Sequence, residues 1–151
     1  LDEVVYAANL RLQTMSRNRY SLERSDYTGG GRGKQGLDLA VMDAFTGQSR
    51  PANTLSGGET FLASMALALG LADVIQSYAG GIHMDTMFID EGFGTLDPDT
   101  LELAMETLVK LQSSGRLIGM ISHVPELKTR IPAHLEVTRG DDGSTAKFVI
   151  N

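Results

Sequence analysis

The stretch from Leu55 to Ile75, LSGGETFLASMALALGLADVI, constrains the fold more than any other. It opens with two glycines and continues as an almost wholly apolar run of helical length. Ser56 and Glu59 stand at the spacing of a capping box. The Ser56 hydroxyl can accept from the Glu59 amide, and the Glu59 carboxylate can reach back to the Ser56 amide. Gly57 and Gly58 leave the first turn bare of side chains, so another molecule can approach the backbone closely. Free first-turn amides at the positive end of the helix dipole make a ready anion site. A helix that is apolar on most faces belongs in the middle of a domain. Two readings stay open from these residues alone: a phosphate-facing start on a buried helix, and an ordinary capped core helix.

Bulk properties narrow the function classes. A chain of 151 residues can bury roughly two-thirds of its unfolded surface in one domain. The absence of cysteine removes disulfides and thiolate metal sites, and it suits a reducing cytoplasm. The net charge of -6 comes without a basic stripe, so most phosphate contacts to any DNA would have to come from elsewhere. The longest apolar run, Phe61 to Ala72 with one serine, is too short to span a bilayer and reads as a core helix. The opening LDEVV carries no secretory signal.

Residues 1 to about 17 read as a helix, with Leu1, Val4, Val5, Ala8, Leu12 and Met15 near one stripe. The pattern starts without an N-cap, as if cut from something longer. Tyr20 and Leu22, then Leu37, Leu39 and Val41, predict two strands. Between them lies the glycine-rich segment 28–36. A P-loop needs G-x-x-x-x-G-K-[ST] between a strand and a helix. Gly33 and Lys34 supply the GK, but Thr28 and Gln35 break the pattern, and a strand follows. The segment reads as a hairpin loop. Residues 51 to 54 read as a linker into the long helix, which should stop near Gly80 and Gly81.

Residues 86–91, TMFIDE, read as a buried parallel strand with two acids at its C-terminal end. Ligands of open α/β sheets bind at that edge. Asp90 there can hold Mg²⁺, usually through water, and Glu91 can accept a proton from an attacking water. The plain alternative is a strand-end turn with solvated acids. Asp97 should cap the next helix, with Pro98 in its first turn. That helix should run to about Ser114, with Leu101, Leu103, Ala104, Met105, Leu108 and Leu111 on its core side. RLIGMIS, residues 116–122, is a second buried strand, and His123 follows it directly. A histidine at that edge can donate to a phosphate oxygen or position a water. His83 and His134 lack such a setting. A short helix over 125–131 and a terminal hairpin with Asp141, Asp142 and Gly143 in its turn complete the chain.

Each of these signals alone is weak, but their order is not. LSGGE opening a helix, then TMFIDE, GTLD and ISH, resembles the C-terminal lobe of an ATP-binding cassette ATPase head from Leu55 to His123. LSGGETFLASMALALGLAD together with DEGFGTLD looks like the SbcC branch, bacterial DNA-repair ATPases related to the structural-maintenance-of-chromosomes (SMC) proteins. The resemblance implies an α/β fold: the C-terminal half of a P-loop NTPase head, a mostly parallel sheet with flanking helices plus a β-hairpin. Residues 1–17 would be the base of a coiled coil, and residues 18–151 the lobe itself. Leu55, Ser56, Gly57, Gly58 and Glu59 would be the signature motif, reaching across a head–head dimer to the γ-phosphate on the opposite head. Asp90 would be the Walker B aspartate at Mg²⁺, Glu91 the catalytic glutamate, and His123 the switch histidine. Asp97 would be the D-loop aspartate at the dimer interface.

No Walker A motif and no recognisable Q-loop is present in the sequence. In the family both lie in an N-terminal lobe. The chain therefore looks like half a head, inactive alone. Its expected cofactors are ATP and Mg²⁺. Its expected partners are the N-terminal lobe, a second head, an SbcD-like nuclease and, through the complex, duplex DNA, in the cytoplasm and without a membrane. Three other readings remain: a chromosome-organising head without a nuclease, a transporter's cassette lobe, and a binding module with degenerate motifs. The GGE ending and the absence of DEP argue against the transporter.

Overall fold

A computed structural model describes residues 1–24, 39–78 and 84–150 of the chain. They fall into two units, Leu1–Ile121 and Ser122–Asn151.

Two helices form the centre of the first unit. Helix α1 spans Asp2–Met15 and helix α2 spans Gly57–Tyr78. The buried stripe of α1 is Val5, Ala8, Leu12 and Met15, as its periodicity predicts, while Leu1 is exposed. It packs on α2, whose buried residues include Leu62, Met65, Ala66 and Leu69. Each leucine fully buried in such a seam contributes ~1.5–3 kcal/mol. The 22 residues of α2 exceed the apolar run inside it, because Thr60, Asp73, Gln76 and Ser77 extend it at both ends. By length and mean hydropathy it could cross a bilayer, contrary to the expectation from the run alone. It instead lies against α1 so closely that only glycine fits at residue 70.

Strands β1 (Tyr20–Arg24), β2 (Leu39–Asp43) and β3 (Gln48–Pro51) form an antiparallel sheet in that order. Tyr20 lies opposite Asp43, and Met42 opposite Ser49. The first strand and the Leu39–Val41 part of the second match the expectation, and Leu37 lies outside the described residues. The third does not, because Gln-Ser-Arg-Pro lacks apolar alternation and becomes a strand only by pairing with β2 as an edge. A 3-10 turn at Ala52–Thr54 replaces most of the expected linker. The hairpin loop expected over 28–36 and the helix stop expected at Gly80 and Gly81 lie outside the described residues. Asn9 ties α1 to β1: its Nδ2 donates to the Leu22 carbonyl at 2.9 Å, and its Oδ1 accepts from the Leu22 amide at 2.7 Å. That side chain satisfies both backbone groups of one strand residue.

Strands β4 (Thr86–Asp90) and β5 (Leu117–Ile121) pair in parallel, with Asp90 opposite Ile121. Helix α3 (Pro98–Ser113) joins them and buries Leu101, Ala104, Met105 and Leu108, while Leu103 and Leu111 are half-buried. The parallel pairing is as expected, but the burial is not. Phe88 is 75% exposed, Leu117 63% and Ile121 58%. A parallel sheet buries its strands only when layers cover both faces. Among the described residues, β4 and β5 have only each other as strand neighbours. Among the described residues β4–β5 is the parallel pair, and the other two sheets, one of them the expected hairpin β6–β7, are antiparallel. The long crossover through α3 makes β4–β5 parallel, whereas the short connections that follow β2 and β6 join antiparallel neighbours.

In the second unit, helix α4 (Pro125–Arg130) precedes a hairpin of β6 (Ala133–Gly140) and β7 (Gly143–Ile150). Asp141 and Asp142 form its turn, and Gly143 closes it at φ +121°. Lys128 Nζ donates to Glu136 Oε1 at 2.8 Å.

Candidate functional site

The capping box forms as the spacing predicts. The Ser56 amide donates to Glu59 Oε2 at 2.8 Å, and the Glu59 amide donates to Ser56 Oγ at 3.4 Å. Among the described residues, no hydrogen bond uses the amides of Gly57 and Gly58. The start of α2 is thus capped on its outer side and keeps free donors in its first turn.

The structure adds a second set of partners that the sequence did not reveal. Glu59 Oε1 accepts from the Tyr20 hydroxyl at 2.6 Å and from Arg50 Nη2 at 2.8 Å. Arg50 Nη1 also donates to the Thr54 carbonyl at 3.1 Å, just before Leu55. Burial raises the Glu59 carboxyl, but the hydrogen bonds from Tyr20 and Ser56 and the charge of Arg50 outweigh it and hold the pKa at about 2. Burial and the Glu59 carboxylate push the Tyr20 hydroxyl up to about 12. Glu59 therefore stays ionised when folded well below the pH at which it protonates when unfolded. Its contribution to stability is full above pH about 4.5 and is lost as pH falls toward about 2. Glu59→Gln is expected to flatten that acid loss, measured as urea midpoints at pH 5 and pH 3.

The two glycines of the motif differ. A Cβ on Gly57 would stand 3.5 Å from Thr95 Cγ2, an ordinary contact, whereas a Cβ on Gly58 would stand 2.8 Å from the Thr95 carbonyl oxygen. Gly58 is thus required by its own chain, where the segment Phe93–Thr95 forms a 3-10 turn beside the start of α2. Gly57→Ala should leave denaturant stability nearly unchanged, while Gly58→Ala should lower it by ~1–3 kcal/mol.

Asp97 caps α3 as expected. Its Oδ1 accepts from the Thr100 amide at 3.0 Å and its Oδ2 from the Thr100 hydroxyl at 2.6 Å. These two bonds, the hydroxyl's first, hold its carboxyl below the usual range. Asp97→Ala is expected to cost ~1 kcal/mol of stability, read from the urea midpoint.

Ser56, Gly57, Gly58 and Asp97 line one cleft of about 690 Å³ together with Arg17 and Arg19. Arg17 sits in the left-handed region at φ +52°, at the turn from α1 to β1. Arg19 donates to the buried Asp43 at 3.0 Å, and its guanidinium lies 4.8 Å from the Tyr20 ring centroid. Glu59 also lines the cleft, with its carboxylate oxygens engaged as above, and Leu55 lies outside it, half-buried.

Asp90 and Glu91 do not line this cleft. Asp90 ends β4 and Glu91 follows at φ +57°, both exposed. The Glu91 amide donates to the Ile121 carbonyl at 2.9 Å, which extends the parallel ladder one residue past the strand. Gly92 comes next at φ +100°, where a Cβ would stand 2.2 Å from the Phe61 ring. Phe61 in turn packs edge-on to the buried Phe93 at 4.9 Å between centroids. The chain thus leaves β4 through a left-handed turn at Glu91 and Gly92 that packs under Phe61 of α2. An exposed carboxylate at a strand end fits Mg²⁺, which takes one or two carboxylates and fills its other positions with water and phosphate. His123 lies two residues beyond β5, in the second unit.

Sequence reasoning missed Tyr20, Arg50 and Thr95. Tyr20 reaches Glu59 from 39 residues away, and no local pattern could pair them.

Comparisons with known proteins identify the family and the fold. Residues 32–110 match the family model described as SbcC/RAD50-like, Walker B motif. The chain is 52% identical over 149 residues to the SbcC component of the SbcCD nuclease of Vibrio cholerae, covering 99% of this chain and 15% of that protein. It is also 52% identical over 151 residues to the same component in Staphylococcus haemolyticus. The chain spans about 15% of the length of these relatives. Among solved structures, an SMC head bound to the C-winged helix domain of ScpA matches with a TM-score of 0.71 at 16% identity, covering 99% of this chain and 43% of that one. A structure from work on ATP-driven dimerisation of SMC ATPases matches with a TM-score of 0.70, covering 98% of this chain and 84% of that one. At such identity these show the fold, which is that of the C-terminal half of an SMC-type head. With the family model spanning more than half its length, the chain belongs to the SbcC/RAD50-like Walker B family.

Proposed function

We propose that this chain is the C-terminal lobe of an SbcC-type ATPase head. Joined to an N-terminal lobe that carries the P-loop, it binds and hydrolyses ATP, dimerises on ATP, and governs the access of duplex DNA to an SbcD-like nuclease in the cytoplasm. The observation that carries this reading is the division of its motifs. The signature start and Asp97 line one cleft, and Asp90 with Glu91 stands outside it. A lobe that serves two nucleotides, one with its own N-terminal lobe and one held by an opposing head, needs that separation.

At its own nucleotide, Asp90 would hold Mg²⁺, and Glu91 would take the proton of the attacking water. Mg²⁺ held there would neutralise charge that develops on the phosphate in the transition state. His123 donates to the γ-phosphate or positions that water. At the opposing nucleotide, Ser56 and the free Gly58 amide meet the γ-phosphate at a helix N-terminus. Asp97 lies at the interface between heads. The exposed apolar surface of β4 and β5, with Phe88, Leu117 and Ile121, supports a further layer supplied by the N-terminal lobe. Helix α1 continues outward as the base of a coiled coil, consistent with its exposed Tyr6 and Leu10.

The test is Mg-ATP hydrolysis by the chain alone and mixed with a separately produced P-loop lobe. No turnover alone and turnover in the mixture is the expected result. Robust hydrolysis by the chain alone would overturn the half-head assignment.

A further inference from the structure

Around Glu59, residues from three separate segments meet at one carboxylate. Oε2 takes the Ser56 amide, while Oε1 takes the Tyr20 hydroxyl from β1 and Arg50 Nη2 from β3. The guanidinium of Arg50 spans the junction, since its other nitrogen holds the Thr54 carbonyl at 3.1 Å. Arg50 therefore grips the chain on both sides of the signature serine, at Thr54 before it and at Glu59 after it. The side chains are well shielded: Arg50 is 34% exposed and Glu59 19%. Tyr20 is 8% exposed. A charge-assisted bond in such a setting holds geometry better than an exposed pair, which reorients freely.

We propose that Arg50 and Tyr20 are positioning residues for the signature motif, acting through Glu59. They anchor the Ser56–Gly58 turn to the antiparallel β1–β3 sheet. The sheet thereby fixes where the Ser56 hydroxyl and the free glycine amides point. Glu59 is fully engaged by its own chain, so within the motif it sets the position of the turn while Ser56 and Gly58 make the contacts to phosphate. This rests on the reading of Leu55–Glu59 as a signature that acts on a nucleotide in the opposing head. Because that contact is made as the dimer turns over ATP, misplacing the turn slows turnover and leaves nucleotide capture by the P-loop lobe intact.

The experiment uses the full-length protein in complex with its nuclease partner, carrying Arg50→Ala, Tyr20→Phe or both, with Ser56→Ala measured alongside. The readouts are kcat and KM for Mg-ATP and the thermal midpoint. Each single variant is expected to lower kcat about tenfold, the scale of one lost bond to a charged group, with KM changed less than about twofold. The double variant is expected to be no slower than Arg50→Ala, since both side chains act on one oxygen. Arg50→Lys, which keeps the charge on Glu59, is expected to recover part of the loss. Tyr20→Phe removes a single hydroxyl and carries the test should Arg50→Ala melt early. A normal kcat in Tyr20→Phe and Arg50→Ala beside a slow Ser56→Ala would overturn the positioning role and leave the signature reading standing. A normal kcat in Ser56→Ala would instead remove the signature reading, and this proposal with it.

Discussion

Glu91→Gln is expected to lower ATP turnover by the reconstituted head about a hundred- to ten-thousand-fold while ATP binding is retained. The size follows from the role proposed for Glu91. A carboxylate that accepts a proton from water in the transition state has no substitute in an amide of the same shape, which cannot take that proton. Retention of binding follows from geometry. Glutamine keeps the length and volume of glutamate, and the Glu91 backbone is held independently of its side chain by the 2.9 Å bond from its amide to the Ile121 carbonyl. The left-handed φ of +57° is imposed by the turn into Gly92, which lies under the Phe61 ring. Single-turnover hydrolysis and equilibrium nucleotide binding, measured on the same preparation, separate the two effects. A variant that hydrolyses at the normal rate would assign the proton acceptor elsewhere.

Gly70→Ala is expected to destabilise the first unit by about 2–3 kcal/mol, a large part of a domain's margin. In an exposed helix the same change would stabilise by ~1 kcal/mol through helix propensity. Here a Cβ would stand 2.6 Å from the Ala8 nitrogen and 2.8 Å from the Val4 carbonyl oxygen. Both are backbone atoms, so no side-chain rotation relieves the overlap. Helix α1 must move as a whole, and the packing of Ala8 and Leu12, 0% and 1% exposed, loosens with it. The check is the urea midpoint of Gly70→Ala against that of the unaltered chain. A rise in the midpoint would mean that α1 does not sit on α2 at this distance.

Both predictions draw on features of different visibility. Glu91 announces itself in the sequence, because an apolar run ending in two acids is a local pattern. Gly70 does not, since a glycine in an apolar helix reads the same whether it faces solvent or another backbone. The same division runs through the site. The spacing of Ser56 and Glu59 predicted the capping box, and Asp97 before Pro98 predicted the cap of α3, while its bonds to Thr100 came from the structure. The Glu59–Tyr20–Arg50 cluster depends on how the β1–β3 sheet lies against α2, and no short-range pattern encodes that. Strand β3 stayed hidden for a related reason: its polar residues acquire strand geometry only from the ladder offered by β2.

What the sequence determined by itself was therefore the local chemistry: where α1, α2 and α3 run, how α2 and α3 are capped, and which acids end β4. Those features arise from hydrogen bonds and periodicities within a few residues. The tertiary structure alone decided that Gly58 must be glycine for the sake of Thr95, that Glu59 faces inward to its own sheet, and that the start of α2 and the acids Asp90 and Glu91 stand at separate places. Each of these is set by contacts between segments distant in the chain, where packing and not local propensity determines which atoms meet.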